Sequence, residues 1–405
     1  MLDTRTRPEV NRGPGPPRWA PAAVLLLWIA ALAVILIHVW HKPYSNTLYK
    51  VFRAGGARWL AGQNLYPKVD EYIYSPFAAA FFAPFALLPD RIAGILWRLL
   101  SLAAYGSAFA AWLKYPRPVA PSRAALAWLL LLPLSLGDLF NGQANPLVIS
   151  LLMLAILACR RQRWMIAALY VGVATYFKVY PLALGLLLAL LHPRALPWRL
   201  ALALAGIFLL SLLLQHPAYA LQQYSNWLHT LRQDPRRTLN YFGTYRDFWL
   251  FLRILRVPIS LQGWALLQVV SGTALAAYLW LVQRRATPAP KLDFLLLALG
   301  TCWMLLFGPA TESSTYVILA PPLALAFVRW LAEPGARGSL AAAIACYTLL
   351  LASQMLTSWA HQYQNAYTHM VQPAGTMILA AALLSYGWNP NAGSEAELAA
   401  RPAVD

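Results

Sequence analysis

Long apolar runs alternate with short basic or proline-rich stretches along almost the whole chain. A helix needs about 20 apolar residues to cross a bilayer. The pattern therefore predicts an all-α, polytopic integral membrane protein of about twelve transmembrane helices, with both termini in the cytoplasm. The predicted spans are 19–40, 92–113, 124–136, 145–159, 164–177, 180–192, 200–215, 259–282, 294–308, 315–331, 339–356 and 374–389.

One apolar segment does not fit this series. YSPFAAAFFAPFALLP (74–89) is short and carries three prolines, and counting it as a span would invert every later loop. It is interpreted as an interfacial or re-entrant helix in a first outer loop, 41–91. DFWLFLRIL (247–255), at the end of a second large outer loop, 216–247, is interpreted in the same way. Short apolar helices at a membrane face suit an enzyme that takes a lipid substrate from the bilayer.

The composition supports one membrane domain over residues 1–389, followed by a polar tail, 390–405, that is expected to be cytoplasmic and disordered. The chain has 405 residues, of which 60% are hydrophobic and only 11% are charged, against about 25% charged in soluble domains. The three cysteines show no paired spacing, and no pattern of metal ligands or nucleotide-binding glycines appears. We therefore predict no metal site and no cofactor.

The charge distribution runs against the usual rule. The net charge is +18, and cytoplasmic loops normally carry the excess of Lys and Arg. Here the two large outer loops, 41–91 and 216–247, are basic and aromatic. The charges lie beside apolar spans and form no soluble basic domain, which argues against nucleic acid. The pattern favours an anionic, phosphate-bearing, lipid-linked ligand.

Polar residues that interrupt apolar runs are the candidates for chemistry. Glu312 lies in GPATESSTY (308–316) between two spans, and an acid at membrane depth is costly enough to suggest function. The alternative is a Glu that caps a helix. SLGDLFNGQANPL (135–147) places acid and amide groups at a similar depth, where side-chain amides suit sugar hydroxyls. The alternative is a plain outer turn. Its candidate residues are Asp138, Asn141, Gln143 and Asn145.

Basic residues of the outer side are candidates for a phosphate site. Lys178, in YFKVYP (176–181), sits between two spans, where it either contacts phosphate or snorkels to the interface. Arg236, Arg237 and Arg246 are interleaved with aromatic residues, including Tyr245. They are predicted to clamp a phosphate and stack on a sugar or prenyl chain, or else to bind lipid headgroups without specificity. The histidines at 361 and 369 are interpreted as solvated or capping residues of an outer loop.

Several segments, taken in order, resemble glycosyltransferase family 87. They are LAGQNLYP (60–67), YIYSPF (72–77), FAPFALLP (82–89), NGQANPL (141–147), FKVYP (177–181) and GPATESSTY followed by APP (320–322). The resemblance implies a C-type glycosyltransferase (GT-C) fold, with membrane-parallel helices in the first outer loop and an active site at the outer membrane face. It also implies a bacterial enzyme that uses a polyprenyl-phosphate sugar, often mannose.

One stretch departs from the family. Members usually carry an acid in the first outer loop, but the corresponding segment here, SNTLYKVFRAGG (45–56), has none. Glu312, Asp70 and Glu71 are the substitutes that could act as general base.

The expected activity is inverting transfer of a hexose or pentose, with mannose favoured, to a lipid or glycan acceptor at the outer face of the bacterial inner membrane. Two alternatives stay open: a transporter or flippase for a lipid-linked sugar, which needs a polar path through many spans, and a catalytically inactive relative.

Overall fold

The structure is a computed structural model that describes residues 19–68, 72–233, 244–358 and 366–389. Within these ranges every regular element is helical. The first eight α-helices are Ala20–His41 (α1), Tyr49–Leu60 (α2), Pro76–Ala86 (α3), Asp90–Leu113 (α4), Pro121–Asn141 (α5), Asn145–Arg160 (α6), Trp164–Phe177 (α7) and Pro181–Leu191 (α8).

The second half of the chain continues the bundle. Its helices are Pro197–Leu213 (α9), Pro217–Arg232 (α10), Phe248–Ile254 (α11), Leu261–Arg284 (α12), Ala289–Phe307 (α13), Ala320–Leu331 (α14), Arg337–Ser358 (α15) and Ala366–Trp388 (α16). A 3-10 helix, Ser313–Leu319, leads directly into α14. The all-helical, multi-pass architecture predicted from the sequence is confirmed.

Each of the twelve predicted spans coincides with a helix. Among the described residues, eight helical segments are long and apolar enough to cross a membrane. The other four, α6, α7, α8 and α9, have 16, 14, 11 and 17 residues. The exact count of twelve spans therefore stays a prediction, while the order and the approximate bounds of the helices agree with the sequence pattern.

Contacts at the helix ends define two opposite faces of the bundle, and the short helices α6 and α8 run from one face to the other. At the start of α6, Asn145 bonds Asp138, and at its end Arg160 pairs with Asp293 at 2.5 Å. The residue before α8, Tyr180, bonds Asn145, while Leu191 at its end accepts a hydrogen bond from Gln283. The predicted placement of loops 160–163 and 283–293 on one common side therefore agrees with these contacts.

The first outer loop contains two short helices that pack on each other. The helix predicted over 74–89 is observed as α3. The family resemblance implied more than one helix in this loop, but the residue pattern did not locate α2, because its sequence mixes charged residues, glycines and aromatics. Phe52 of α2 stacks on Phe82 of α3 with ring centroids 4.7 Å apart. Gly56 allows this approach, since an added Cβ would lie 2.5 Å from the Phe82 carbonyl oxygen. Most of α3 is thus buried in the protein.

The second large outer loop also contains an unpredicted helix, α10, whose mixed polar and apolar sequence gives no span signal. It packs on the first loop through side chains that bond backbone groups. The Leu65 amide donates to Gln223 Oε1 at 2.9 Å, and the Tyr219 hydroxyl donates to the Gln63 carbonyl at 2.7 Å. The described parts of the two outer loops therefore contact each other at this end of the bundle.

Burial distinguishes the centre of the bundle from its periphery. In α13, 83% of the apolar window is buried, against 17% in α1 and 11% in α12. The exposed leucines of α1 and α12 are those expected to face lipid tails, because a bilayer does not penalise exposed apolar surface. Proline begins many of the helices, at a position where the missing amide hydrogen costs nothing; the helices with Pro at the first or second position include α3, α5, α8 and α10.

Candidate active site

The turn between α5 and α6 forms one wall of the candidate site. α5 ends at Asn141, and Gly142 takes the left-handed conformation with φ of 69° that glycine adopts without strain. The Gln143 amide then donates to the Asp138 carbonyl at 3.1 Å. Across the turn, Asn145 Nδ2 donates to Asp138 Oδ1 at 2.8 Å, and both residues are buried. This stretch is a tight, mostly buried turn.

Arg98 of α4 and the first outer loop hold this turn in place. The buried Arg98 guanidinium donates to the Phe140 carbonyl at 2.7 Å and to the Leu139 carbonyl at 3.1 Å. These are carbonyls that the end of a helix leaves without intrahelical partners. Asn141 Oδ1 accepts from the Leu48 amide at 2.7 Å. Asn141 therefore ties the turn to the first loop through its side-chain oxygen.

Glu312 lies opposite this turn, at the start of the 3-10 helix. Its backbone amide donates to Thr315 Oγ1 at 3.1 Å, and the two residues form a reciprocal cap. The carboxylate is half-buried and also lines a cavity. The helix cap expected from the sequence is therefore observed, whereas the functional role of this side chain stays a prediction. The neighbouring Ser314 hydroxyl accepts from Gln143 Nε2 at 3.2 Å and joins the two walls.

A cavity of about 310 Å³ lies between these walls and the ends of α15 and α16. Four of the residues predicted from the sequence line it, namely Asp138, Asn141, Gln143 and Glu312. Sequence reasoning missed five residues with polar side-chain groups that line the same cavity, namely Ser313, Ser314, Tyr316, Gln354 and Gln372. The cavity thus combines two carboxylates with several amides and hydroxyls. No group of three or more His, Cys, Asp or Glu side chains with metal-site geometry occurs in the described ranges.

Lys178 and Tyr180 approach the same cluster from the corner between α7 and α8. Lys178 leaves α7 with extended backbone, and its positive charge acts on the Asp138 carboxyl, as does the negative charge of Glu312. The Tyr180 hydroxyl donates to Asn145 Oδ1 at 3.3 Å. The charges of Lys178 and Glu312 therefore both act on the Asp138 carboxyl group, although the three residues are far apart in the sequence.

Arg246 is fixed behind the Glu312 segment. Its Nη1 donates to Ser313 Oγ at 3.1 Å and to Gln372 Oε1 at 3.2 Å, and its backbone amide donates to the Thr311 carbonyl at 2.8 Å. Burial lowers the pKa of Arg246 to about 10, so the guanidinium is still charged at neutral pH. The neighbouring Tyr245 is buried as well.

His369 corrects the interpretation made from the sequence. It was expected to be a solvated or capping residue of an outer loop, but it is 3% exposed and its Nε2 lies 3.3 Å from Arg246 Nη2. α16 begins at Ala366, ahead of the predicted 374, because polar residues in its first turns hide it from a hydropathy search. His369, Gln372 and Thr376 follow helical spacing, and this signal could have identified the polar face.

Four predicted site residues, Asp70, Glu71, Arg236 and Arg237, lie outside the described residues, so their roles stay predictions. The segment that follows the two acids is described. The Ser75 hydroxyl donates to the Tyr176 carbonyl, close before Lys178 in the chain. The first outer loop therefore contacts the corner that carries Lys178.

The sequence blocks that carry the family resemblance are linked in space. Three side-chain hydrogen bonds link these blocks directly: Tyr66 to Tyr74, Tyr180 to Asn145, and Gln143 to Ser314. A fourth bond, from Ser75 in YIYSPF, reaches Tyr176, the residue before FKVYP. Segments spread over most of the chain therefore meet at one end of the bundle.

Comparison with known proteins places the chain in a family. The sequence model described as glycosyltransferase family 87 matches residues 72–309, more than half of the chain. The chain belongs to glycosyltransferase family 87, and it is a multi-pass membrane protein. The match ends just before Glu312.

Among solved structures, ArnT from Cupriavidus metallidurans, crystallised with undecaprenyl phosphate, is similar to this chain. The sequence identity is 15% and the TM-score is 0.40, over 89% of this chain and 77% of that chain. A search of curated proteins returned no match.

Proposed function

We propose that this protein is an inverting membrane glycosyltransferase that uses a polyprenyl-phosphate sugar. It transfers a hexose or pentose, with mannose favoured, to a lipid or glycan acceptor at the outer face of the bacterial inner membrane. One observation carries the proposal. A single cavity brings together the Glu312 and Asp138 carboxylates, the Gln143 amide and the Ser313 hydroxyl, which also accepts a hydrogen bond from Arg246.

Glu312 is the general base in this proposal. Its carboxylate takes the proton of the acceptor hydroxyl, whose oxygen attacks C1 of the sugar while the bond from C1 to the phosphate oxygen breaks. Polyprenyl phosphate leaves with the bonding electrons. A positioned general base contributes about 10²- to 10⁴-fold to the rate. Half-burial at the cavity wall supports Glu312, since the side chain is open to a ligand but held by its cap.

The leaving phosphate is stabilised from the cationic side of the site. Arg246 is held rigidly behind Ser313, and Lys178 approaches from the corner between α7 and α8. Fixed cations aimed at developing negative charge stabilise a transition state without reorganisation. Arg236 and Arg237 are proposed to extend this site towards the donor lipid.

The transporter alternative has less support. A path for a sugar needs polar side chains that face each other inside the spans. Several hydroxyl groups within the described helices instead bond the backbone of their own helix: Ser150 bonds the Pro146 carbonyl at 2.5 Å, and Thr175 bonds the Val171 carbonyl at 2.8 Å. Such hydroxyls are satisfied locally.

The inactive-relative alternative depends on the acids. Members of the family usually carry an acid in the first loop, at the segment formed here by α2 and the turn before it. This segment contains no Asp or Glu. Asp90, at the end of that loop, is 2.7 Å from Arg53 and is occupied by this ion pair. Asp138 is a further acid at the cavity, and Asp70 and Glu71 are the remaining candidates.

The test is turnover by purified protein in lipid, measured as release of polyprenyl phosphate from polyprenyl-phosphate mannose. We expect Glu312→Gln to lower kcat by at least about 100-fold with the fold intact, because glutamine keeps the shape of the side chain. Glu333→Gln is the matched control, because Glu333 is a buried glutamate that bonds Tyr386 near the opposite face. Full activity of Glu312→Gln would eliminate Glu312 as the base.

A further inference from the structure

Gln143 lines the cavity, and its hydrogen bonds do not satisfy both ends of its side-chain amide. It follows the left-handed Gly142 and precedes α6, and it is 5% exposed. Its backbone amide donates to the Asp138 carbonyl, which fixes the residue in the turn. Its side chain lies in the cavity wall beside Ser314.

The side-chain amide has two ends to satisfy. Nε2 donates to Ser314 Oγ at 3.2 Å, whereas the buried Oε1 has no hydrogen-bond partner among the described residues. Rotating the amide by 180° does not remove the deficit, because the Ser314 hydroxyl can donate or accept and then satisfies the other end instead. In either orientation one end of the amide remains open, and buried polar groups in proteins are rarely left so.

The side chains around Gln143 indicate which kind of ligand group could bond the open end of its amide. Glu312 lines the same cavity, together with the buried carboxyl group of Asp138. A phosphate oxygen is disfavoured beside the Glu312 carboxylate and an amide oxygen. A sugar hydroxyl is neutral, can donate to Oε1, and can accept if the amide is rotated.

We propose that Gln143 is a specificity-determining residue whose side-chain amide recognises one hydroxyl of the transferred sugar. This rests on the proposed function, because it assumes that the sugar occupies the cavity. It adds that one deoxy sugar is rejected at this position. A site built to bond a hydroxyl discriminates strongly against an analogue that lacks it, because its own polar group is then left open.

The test compares prenyl-phosphate mannose with four analogues that each lack one ring or exocyclic hydroxyl, in wild type and in Gln143→Met, which has a similar shape but no amide. Binding is measured by thermal shift, and turnover is measured in parallel. In the wild type we expect one deoxy analogue to lose about 10-fold or more in affinity. The same analogue should bind Gln143→Met as well as the parent sugar does. Gln223→Met is the matched control, because Gln223 is buried but bonds Leu65 away from the cavity lining.

The outcomes separate the two proposals. In the first outcome, the protein turns the donor over, and each deoxy analogue loses the same affinity in wild type and in Gln143→Met. This result overturns the role of Gln143 and leaves the glycosyltransferase proposal intact. Binding without turnover, with the penalty abolished only in Gln143→Met, supports the role of Gln143 and counts against transfer. Absence of binding by the wild type to all five compounds overturns both. If Gln143→Met does not fold, Gln143→Leu replaces it and is judged by the same outcomes, because leucine also lacks the amide.

Discussion

Asn145 Nδ2 donates a 2.8 Å hydrogen bond to Asp138 Oδ1 and joins the last turn of α5 to the first turn of α6. The other end of the same amide, Oδ1, accepts from the Tyr180 hydroxyl at the corner between α7 and α8. One fully buried amide thus connects three helices at the cavity wall. It orients Asp138 and links two of the sequence blocks by which the family is recognised.

We expect Asn145→Leu to be less stable and less active than the wild type. Leucine has a similar volume but leaves the buried Asp138 and Tyr180 oxygens without their bonds, which costs about 1–3 kcal/mol per unsatisfied group. Thermal unfolding in lipid or detergent measures the loss, and turnover shows whether the site is displaced. Asn226→Leu, in a more exposed amide pair with Gln222, is the control and should change stability much less. Equal stability of both variants would contradict the connecting role of Asn145.

Replacing Arg246 should weaken donor binding, because its guanidinium is a positive charge held in place behind the cavity wall. Arg246→Lys keeps the positive charge but loses the fork that bonds both Ser313 and Gln372, and Arg246→Gln loses the charge as well. A charge-assisted contact to phosphate contributes about 1.5–3 kcal/mol. We therefore expect polyprenyl phosphate to bind Arg246→Gln about 10- to 100-fold more weakly, with Arg246→Lys between this variant and the wild type.

The control for this prediction is Arg232→Gln, which removes an exposed arginine at the end of α10. Exposed charges contribute little individually, so its binding should be close to that of the wild type. Competition between polyprenyl phosphate and a fluorescent lipid phosphate measures the affinities. Equal weakening in Arg232→Gln and Arg246→Gln would indicate unspecific attraction to a basic surface, which is the alternative for these loops.

The helices that the sequence predicted well are those whose apolar runs are continuous. α1, α4 and α12 were found nearly to the residue, because their sequences alternate with clear basic or proline boundaries. α2 and α10 were missed, because each buries only one face against other protein segments, and neither resembles a span. Tertiary packing, which a hydropathy pattern does not record, stabilises such helices.

The site was predicted in part for a similar reason. Asp138, Gln143 and Glu312 interrupt apolar runs, so each one stood out in the sequence. His369 and Gln372 lie on a helix whose other faces are apolar, and their polar spacing was interpreted as a loop. The contact between Gln143 and Ser314 depends on how α6 packs against the 3-10 helix, and a single sequence does not record that contact.

The last prediction concerns the sidedness of the two faces. Arg161 follows α6 and Lys42 follows α1, and both are exposed. The alternation of spans assigns Arg161 to the cytoplasm and Lys42 to the outer side. Labelling of single cysteine variants with a membrane-impermeant maleimide on intact cells should therefore modify Lys42→Cys directly and Arg161→Cys only after permeabilisation.

The native cysteines favour this experiment. Cys159, Cys302 and Cys346 are all buried, so the unmodified protein should give little background and serves as the control. Arg237→Cys, in the second large outer loop, should label with Lys42→Cys if the two outer loops share a side. The short helices α6 to α9 make this test decisive. If α7, α8 or α9 alone did not cross, Arg237 would move to the cytoplasmic side with Arg161, and neither variant would label before permeabilisation. If α6 alone did not cross, Arg161→Cys would label from outside and Arg237→Cys would not. Either result would contradict the predicted alternation of the spans, on which the outer-face assignment of the second large loop depends.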